Sequence, residues 1–270
     1  GYNHQQGLMN FNPDKMDKFN ATINLSTKVN NWLEVGARFN MQHRNYAYPE
    51  VHAKGQGTYQ YLWRWGSFFG PYGYFEDADG NQYDGRNMIG FRKAAGDDSY
   101  KKRMNIRAGG FIKLNLAKGL TFNGDYTFTY RAGRTKAVGQ MEDIVNTWGV
   151  QNPVKDANGE IISTFTHGKN LATKYDYIDI TNTHYYNHVA NMYLNYNGSW
   201  SGHNLNVMVG ANIDKDEYEY FYNEYRGMQD PNLTEPILCS EHTSYDHAHS
   251  HNGSAGIFGR INYDYKGIYL

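Results

Sequence analysis

Apolar and polar side chains alternate strictly, residue by residue, in segment after segment of this 270-residue sequence. Phe19, Ala21, Ile23 and Leu25 interleave with Asn20, Thr22, Asn24 and Ser26. Leu33, Val35, Ala37, Phe39 and Met41 follow, set against Glu34, Arg38, Asn40 and Gln42. A period of two puts one set on each face of an extended strand, one face apolar and the other wet. Only Asn30 and Asn31 separate these two runs, which suits a tight hairpin. The pattern returns at Met104, Ile106, Ala108, Ile112, Leu114 and Leu116, and after Lys118-Gly119 at Leu120, Phe122, Tyr126, Phe128 and Tyr130. It recurs at Ala190, Met192, Leu194 and Tyr196, and after Ser201-Gly202 at Leu205, Val207, Val209, Ala211 and Ile213. Ala255, Ile257, Ile261, Tyr263 and Tyr265 complete it before Lys266-Gly267. The expected fold class is all-β, an antiparallel up-and-down meander of about eight strands.

The connections between these strands alternate short and long. Short ones fall at Asn30, Lys118, Ser201 and Lys266, while long ones span roughly 48–100, 133–184 and 219–249. Successive connections of a meander lie at opposite ends of the sheet, so one rim carries the short turns and the other the long loops. Outer-membrane β-barrels have this asymmetry, with short turns periplasmic and long loops extracellular. The alternating runs extend to roughly 12 to 16 residues against the ~9 to 11 that cross a bilayer, so the strands are expected to project beyond it. Arg38, Arg107, Lys113 and Arg131 on the polar faces suit a watery lumen. Trp32, Trp200, Tyr263 and Tyr265, close to the short turns, suit an interfacial aromatic girdle. A soluble antiparallel sandwich also alternates, and the pattern alone leaves it open.

Composition narrows the function classes. No apolar run approaches the ~20 residues of a membrane-spanning helix, so a membrane role requires strands. A formal net charge of -1 gives no general attraction to nucleic acid. Cys239 is the single cysteine, which excludes an internal disulfide, and it lacks zinc-site spacing. The sequence has no nucleophile elbow, phosphate-cradling glycine loop or HExxH, and neither enzyme activity nor a cofactor is expected.

Two segments carry a family resemblance. Residues 258–270, FGRINYDYKGIYL, resemble the FGR-[LI]-NY-x-Y-[KN]-x-[RK]-YL strand-turn-strand segment of SusC/RagA-like TonB-dependent outer-membrane transporters. Residues 19–29, FNATINLSTKV, followed by 31–36, NWLEVG, resemble the R-x-N-L-x-x-x-V-x-x-W-L-K-V-G hairpin of the same family. The two segments bracket nearly the whole chain in family order. Ile268 stands where a charged residue is common, a mild departure. The resemblance implies a barrel of about 22 strands closed by an N-terminal plug. It also implies import of glycans, oligosaccharides or peptides, a SusD-like surface lipoprotein as lid, and energy delivered through TonB. The location implied is the lipid of the outer membrane of a Gram-negative, Bacteroidota-like bacterium. On this reading residues 1–270 are a partial transmembrane barrel domain, an excerpt without the plug, TonB box or C-terminal strands. The alternatives are a passive porin or structural outer-membrane barrel, and a secreted all-β carbohydrate-binding module.

Three constellations invite chemistry. Tyr59, Tyr61, Trp63, Arg64, Trp65, Phe68, Phe69, Tyr72 and Tyr74 crowd the first long connection. Their rings suit stacking on sugars or cation contacts, a seat for the lid, or the loop's own packing. His242, His247, His249 and His251 raise a metal reading, because on an extended strand the last three share a face, but a polar wall explains them as well. Residues 77–81 (DADGN) and 156–160 (DANGE) look like calcium loops, yet counting from Asp77 puts Gln82 and Met88 where an EF-hand needs Gly and Glu. Both are read as Asx-Gly turns, with no metal expected.

Overall fold

The computed structural model describes residues 1–7, 14–48, 74–76, 82–85, 99–139, 143–146, 154–163, 166–169, 176–230 and 232–269. In chain order the strands are β1 (Tyr2–Gln6), β2 (Lys15–Lys28), β3 (Leu33–Ala47), β4 (Tyr74–Glu76), β5 (Gln82–Gly85), β6 (Tyr100–Ala117) and β7 (Leu120–Gly139). They continue with β8 (Asp143–Asn146), β9 (Val154–Lys155), β10 (Ile161–Ser163), β11 (Thr166–Lys169), β12 (Tyr177–Trp200), β13 (His203–Met228), β14 (Cys239–Tyr265) and β15 (Ile268–Tyr269). Among the described residues, nine form one sheet in the order β1-β2-β3-β6-β7-β12-β13-β14-β15. Every neighbouring pair is antiparallel. Spatial order follows chain order, the expected meander, and the sheet is open at both edges. The short strands of the first two long connections pair with one another as β11-β8-β5-β4, and β9 with β10.

The short turns follow from local chemistry. Ser201-Gly202 and Lys266-Gly267 each place two successive residues at positive φ, 46° and 83° in the first and 47° and 88° in the second. This is the type I′ geometry, whose twist matches that of the strands it joins. Between β2 and β3 the hairpin is wider than Asn30 and Asn31 alone: Val29 N donates to Leu33 O at 2.9 Å. The Asn30 side chain accepts from the backbone of both Trp32 and Leu33. That Asx turn brings Val29 and Trp32 into the connection.

The apolar face of this sheet is not a buried core. Leu25 is 66% exposed, Val209 50%, Ile213 49% and Ile257 86%. The buried apolar side chains among the described residues are instead Tyr48, Val138, Tyr177, Ile178 and Ile180, at the long-connection end. A sandwich would bury these alternating faces against a second sheet, whereas here they stay open as one continuous band.

The band crosses the strands at an angle, which the register measures. On the apolar face of β2 its outer limit lies between Phe19 and Asp17. Phe19 leads through His43, Met104, Ala132 and His184 to Glu219 of β13. On β13, however, the band stops at Ile213, before Lys215 and six residues short of Glu219. Strands rise about 3.3 Å per residue and lie about 4.8 Å apart, so over five strand steps the limit moves about 20 Å along the strands for about 24 Å across them. The strands are therefore tilted by about 40° from the normal to the band, within the ~35–45° from the membrane normal of transmembrane barrels.

Strand length departs from expectation. β12, β13 and β14 have 24, 26 and 27 residues, against the roughly 12 to 16 read from alternation. The connection expected over 219–249 shrinks to 229–238, and the one expected over 133–184 begins after Gly139 and ends before Tyr177. Beyond the band the apolar face no longer needs apolar side chains, so the two-residue signal stops while the hydrogen-bonded ladder continues. β1, with the all-polar sequence YNHQQ, was missed for the same reason.

Candidate functional site

The polar face of the sheet is built from asparagines and charged residues at alternate positions, many of which hydrogen-bond across strands, while Asn105 Oδ1 and Asn206 Oδ1 have no hydrogen-bond partner among the described residues. Asn212 donates to Asn191 at 2.6 Å, and Asn191 donates in turn to Asp125 at 2.9 Å, a relay over β13, β12 and β7. Asn187 donates to Asp214 at 2.6 Å and Asn252 to Asp216 at 3.3 Å. Near the other edge Asn40 donates to Thr22 and Gln42 to Asn20. Concavities open on this face, two of them among the arginines. One, of about 520 Å³, is lined by Arg38, Arg107, Phe111, Asp125, Asn187 and Asn191. The other, of about 440 Å³, is lined by Arg44, Arg103, Arg131, Gln42, Asn105 and Tyr185. Arg38 stands 5.3 Å over the Phe111 ring and Arg131 5.1 Å over Tyr185. Guanidinium planes beside aromatic faces and amide forks can bind carboxylates and hydroxyl-rich oligomers.

At the long-connection end, β12, β13 and β14 enclose a second polar group. Tyr222 donates its hydroxyl between Asp179, at 2.8 Å, and Glu224, at 3.0 Å. Burial, then the Asp179 hydrogen bond, push the phenol far above its ordinary range. Arg226 Nε donates to Glu224 at 2.6 Å, and Thr243 adds a further donor. Asp179 and Glu224 are only 8% and 3% exposed. Asp176 accepts the backbone N–H groups of Gly227 and Met228, tying the start of β12 to the end of β13. Beside it Val138, Ile178 and Ile180 pack with Tyr225, Met228 and Cys239. Burial raises the Cys239 thiol, which disfavours the reactive thiolate.

The residues singled out in the sequence fall as follows. Tyr59, Tyr61, Trp63, Arg64, Trp65, Phe68, Phe69 and Tyr72 lie outside the described residues, as does the 77–81 turn. Tyr74 opens β4. His242, His247, His249 and His251 lie along β14, and the last three share a face. They meet Asn223, Glu219 and Glu217 rather than one another's ring nitrogens: His242 Nε2 lies 3.1 Å from Asn223 Oδ1, His247 Nε2 3.7 Å from Glu219 and His249 Nε2 3.0 Å from Glu217. The 156–160 turn has the expected geometry, with Asp156 Oδ1 accepting from the backbone of Asn158 and Glu160 and Gly159 at φ 86°. Trp200 stacks on His203, and Tyr265 lies tilted against His203, at the short-turn rim, the place expected for the girdle. Lys113 lies opposite Glu34, a matched pair. Sequence reasoning missed Arg44, Arg103 and Lys18, although parity with Arg38, Arg107 and Asn20 places them on the polar face. It also missed the Asp179–Tyr222–Glu224 group, which only strand register assembles.

No family model and no curated protein matches the sequence. The fold has solved counterparts. Against the structure of the RagAB peptide transporter the chain aligns over 98% of its length with a TM-score of 0.66 at 16% identity, covering 28% of that chain. Against the RagAB peptide importer in its open-open and closed-closed states it aligns over 94%, with a TM-score of 0.65 at 15% and 16% identity, covering 26%. The fold neighbours carry the name to which the 19–36 and 258–270 segments already pointed. In fold, the chain matches a segment of about a quarter of those transporter chains.

Proposed function

We propose that residues 1–270 form part of the wall of a TonB-dependent outer-membrane importer of the SusC/RagA type. The importer takes up oligosaccharides or peptides in a Gram-negative, Bacteroidota-like bacterium, with a SusD-like lipoprotein as lid. The supporting observation is the uninterrupted meander with an open apolar band, its strands tilted about 40° from the band's normal, in a chain whose fold aligns with the RagAB transporter over 98% of its length. The two resembling segments favour an importer over a porin or a secreted module. Short turns then face the periplasm, and the long strand extensions and connections face the outside. The polar face becomes lumen wall. The plug, the TonB box and the remaining strands belong to the rest of such a transporter, and the aromatic residues Trp63 and Trp65 are proposed to touch ligand or lid.

The test is uptake by cells carrying the full-length transporter, with and without functional TonB, together with co-purification of a surface lipoprotein. Accumulation of an oligopeptide or oligosaccharide that stops without TonB is expected. Uptake unaffected by TonB loss indicates a passive pore. Trp63→Ala with Trp65→Ala is expected to lower uptake or lid association; wild-type levels of both would remove those residues from the site.

A further inference from the structure

Six cations form one connected patch on the polar face. Lys18, Arg44 and Arg103 are direct register partners across β2, β3 and β6. Arg103 lies opposite Gly133, two residues from Arg131 on β7. Arg107 lies opposite Thr129, likewise two residues from Arg131. Arg38 lies opposite Gly109, two residues from Arg107 on β6. Each step is therefore a direct or diagonal neighbour, within reach of long side chains. Like charges placed directly opposite, as Arg44 and Arg103 are, cost stability, so the fold carries this patch against its own electrostatics.

Among the described residues none of the six cations is ion-paired with a carboxylate, although Asp125 lines the same concavity as Arg38 and Arg107. Asp125, Asp214 and Asp216 on the same face accept from Asn191, Asn187 and Asn252, not from arginine. Arg38, Arg103, Arg107 and Arg131 are exposed, and the patch lines both concavities, with Phe111 and Tyr185 as flat walls. Gly109 and Gly133, opposite Arg38 and Arg103, leave those two register positions without a side chain. The patch also has a level. On β3 the apolar run spans Leu33 to Met41, with Arg38 near its middle and Arg44 beyond it. On β6 Arg107 and Arg103 sit on the long-connection side of the run from Met104 to Leu116. The cations thus face the half of the wall that an incoming solute meets first.

We infer that this patch is a binding site for an oligoanion, a short oligomer bearing several carboxylates, captured as it enters from the long-connection side. Guanidinium forks match carboxylates bidentately, and unmatched positive charge along a concave wall steers anions inward. The inference rests on the importer reading only for the direction of entry.

The test uses the purified full-length protein and four probes: hexaglutamate and hexagalacturonate as anions, hexaglutamine and maltohexaose as neutral counterparts. The anions are expected to bind, more weakly at high salt, and Arg103→Gln/Arg107→Gln/Arg131→Gln should weaken them at least about tenfold. Binding of hexaglutamate alone identifies an acidic peptide site, and of hexagalacturonate alone an acidic glycan site. Neutral probes binding as tightly, neither anion binding, or an unchanged affinity in the folded glutamine variant would overturn the inference. The corresponding triple lysine variant keeps the charge but loses the forks, so it should bind the anions several-fold more weakly with their salt dependence retained, and an unchanged affinity in it would overturn the inference if the glutamine variant fails to fold. Occupancy by another part of the chain is read separately, with Arg103→Cys in a Cys239→Ser background. An anionic thiol reagent added to intact cells should label it, and hexaglutamate should protect it. Absence of labelling means the site is already covered, and the inference fails. TonB-dependent uptake of a neutral probe without anion binding would sink this inference and leave the importer standing; anion binding without uptake would do the reverse.

Discussion

Tyr222 holds two carboxylates with one hydroxyl, and its neighbours depend on that arrangement. Asp179 and Glu224 are nearly inaccessible to water, so Tyr222→Phe removes a donor that solvent cannot replace. The expected cost is about 1–3 kcal/mol, seen as faster amide exchange at the start of β12 and in 229–238, while the band below is unaffected. Asp17 works in the opposite electrostatic sense. The Tyr2 hydroxyl donates to its carboxylate at 2.6 Å and His4 Nδ1 at 2.7 Å, and these bonds, Tyr2 first, lower its carboxyl below the ordinary range. A carboxyl depressed in the folded state stabilises fully above its unfolded value and loses that contribution as pH falls through the folded value. A spin label at Gln5 should therefore become more mobile as pH falls below the ordinary carboxylate range and the Asp17 bonds to Tyr2 and His4 are lost. Asp17→Asn should leave the label equally mobile across that fall in pH.

The elements of this sheet were legible where one face meets an apolar medium and the other meets water. There the sequence has to alternate, and β2, β3, β6, β7, β12, β13 and β14 were all found from Phe19, Leu33, Met104, Leu120, Ala190, Leu205, Ala255 and their alternate neighbours. Their outer ends were not legible, because Glu217, Glu219, His247 and His249 occupy the same parity as Val209 and Ile257 without being apolar. The band makes depth-dependent costs predictable. Val209→Lys should destabilise the inserted full-length barrel by about 2–4 kcal/mol, and Asn212→Lys, on the polar face, by about 1 kcal/mol or less. Denaturant unfolding in lipid compares the two. Gly202, at φ 83° in the β12–β13 turn, should tolerate asparagine far better than valine. Gly202→Val is expected to cost about 1–2 kcal/mol or more by the same measurement, because a β-branched side chain is strained there.

Among the described residues the nine-stranded sheet dominates, with one apolar and one polar surface, and the proposed function follows from what each surface touches. Half of the cationic patch was visible in the alternation as Arg38, Arg107 and Arg131, while Arg44, Arg103 and Lys18 needed only the same parity carried past Met41, Met104 and Phe19. The Asp179–Tyr222–Glu224 group could not be read, because residues 43 apart in sequence meet only through strand pairing. Both faces and the tilt make a joint claim that accessibility can test. Spin labels placed singly along β2 and β13 of the full-length protein in lipid, scanned against oxygen and a water-soluble nickel reagent, measure it directly. Labels at odd positions from 205 to 213 should favour oxygen and those at even positions nickel, with oxygen access ending between Ile213 and Lys215 on β13 and between Phe19 and Asp17 on β2. Equal access on both faces, or limits lying in one register row instead of six residues apart, would contradict a tilted membrane wall.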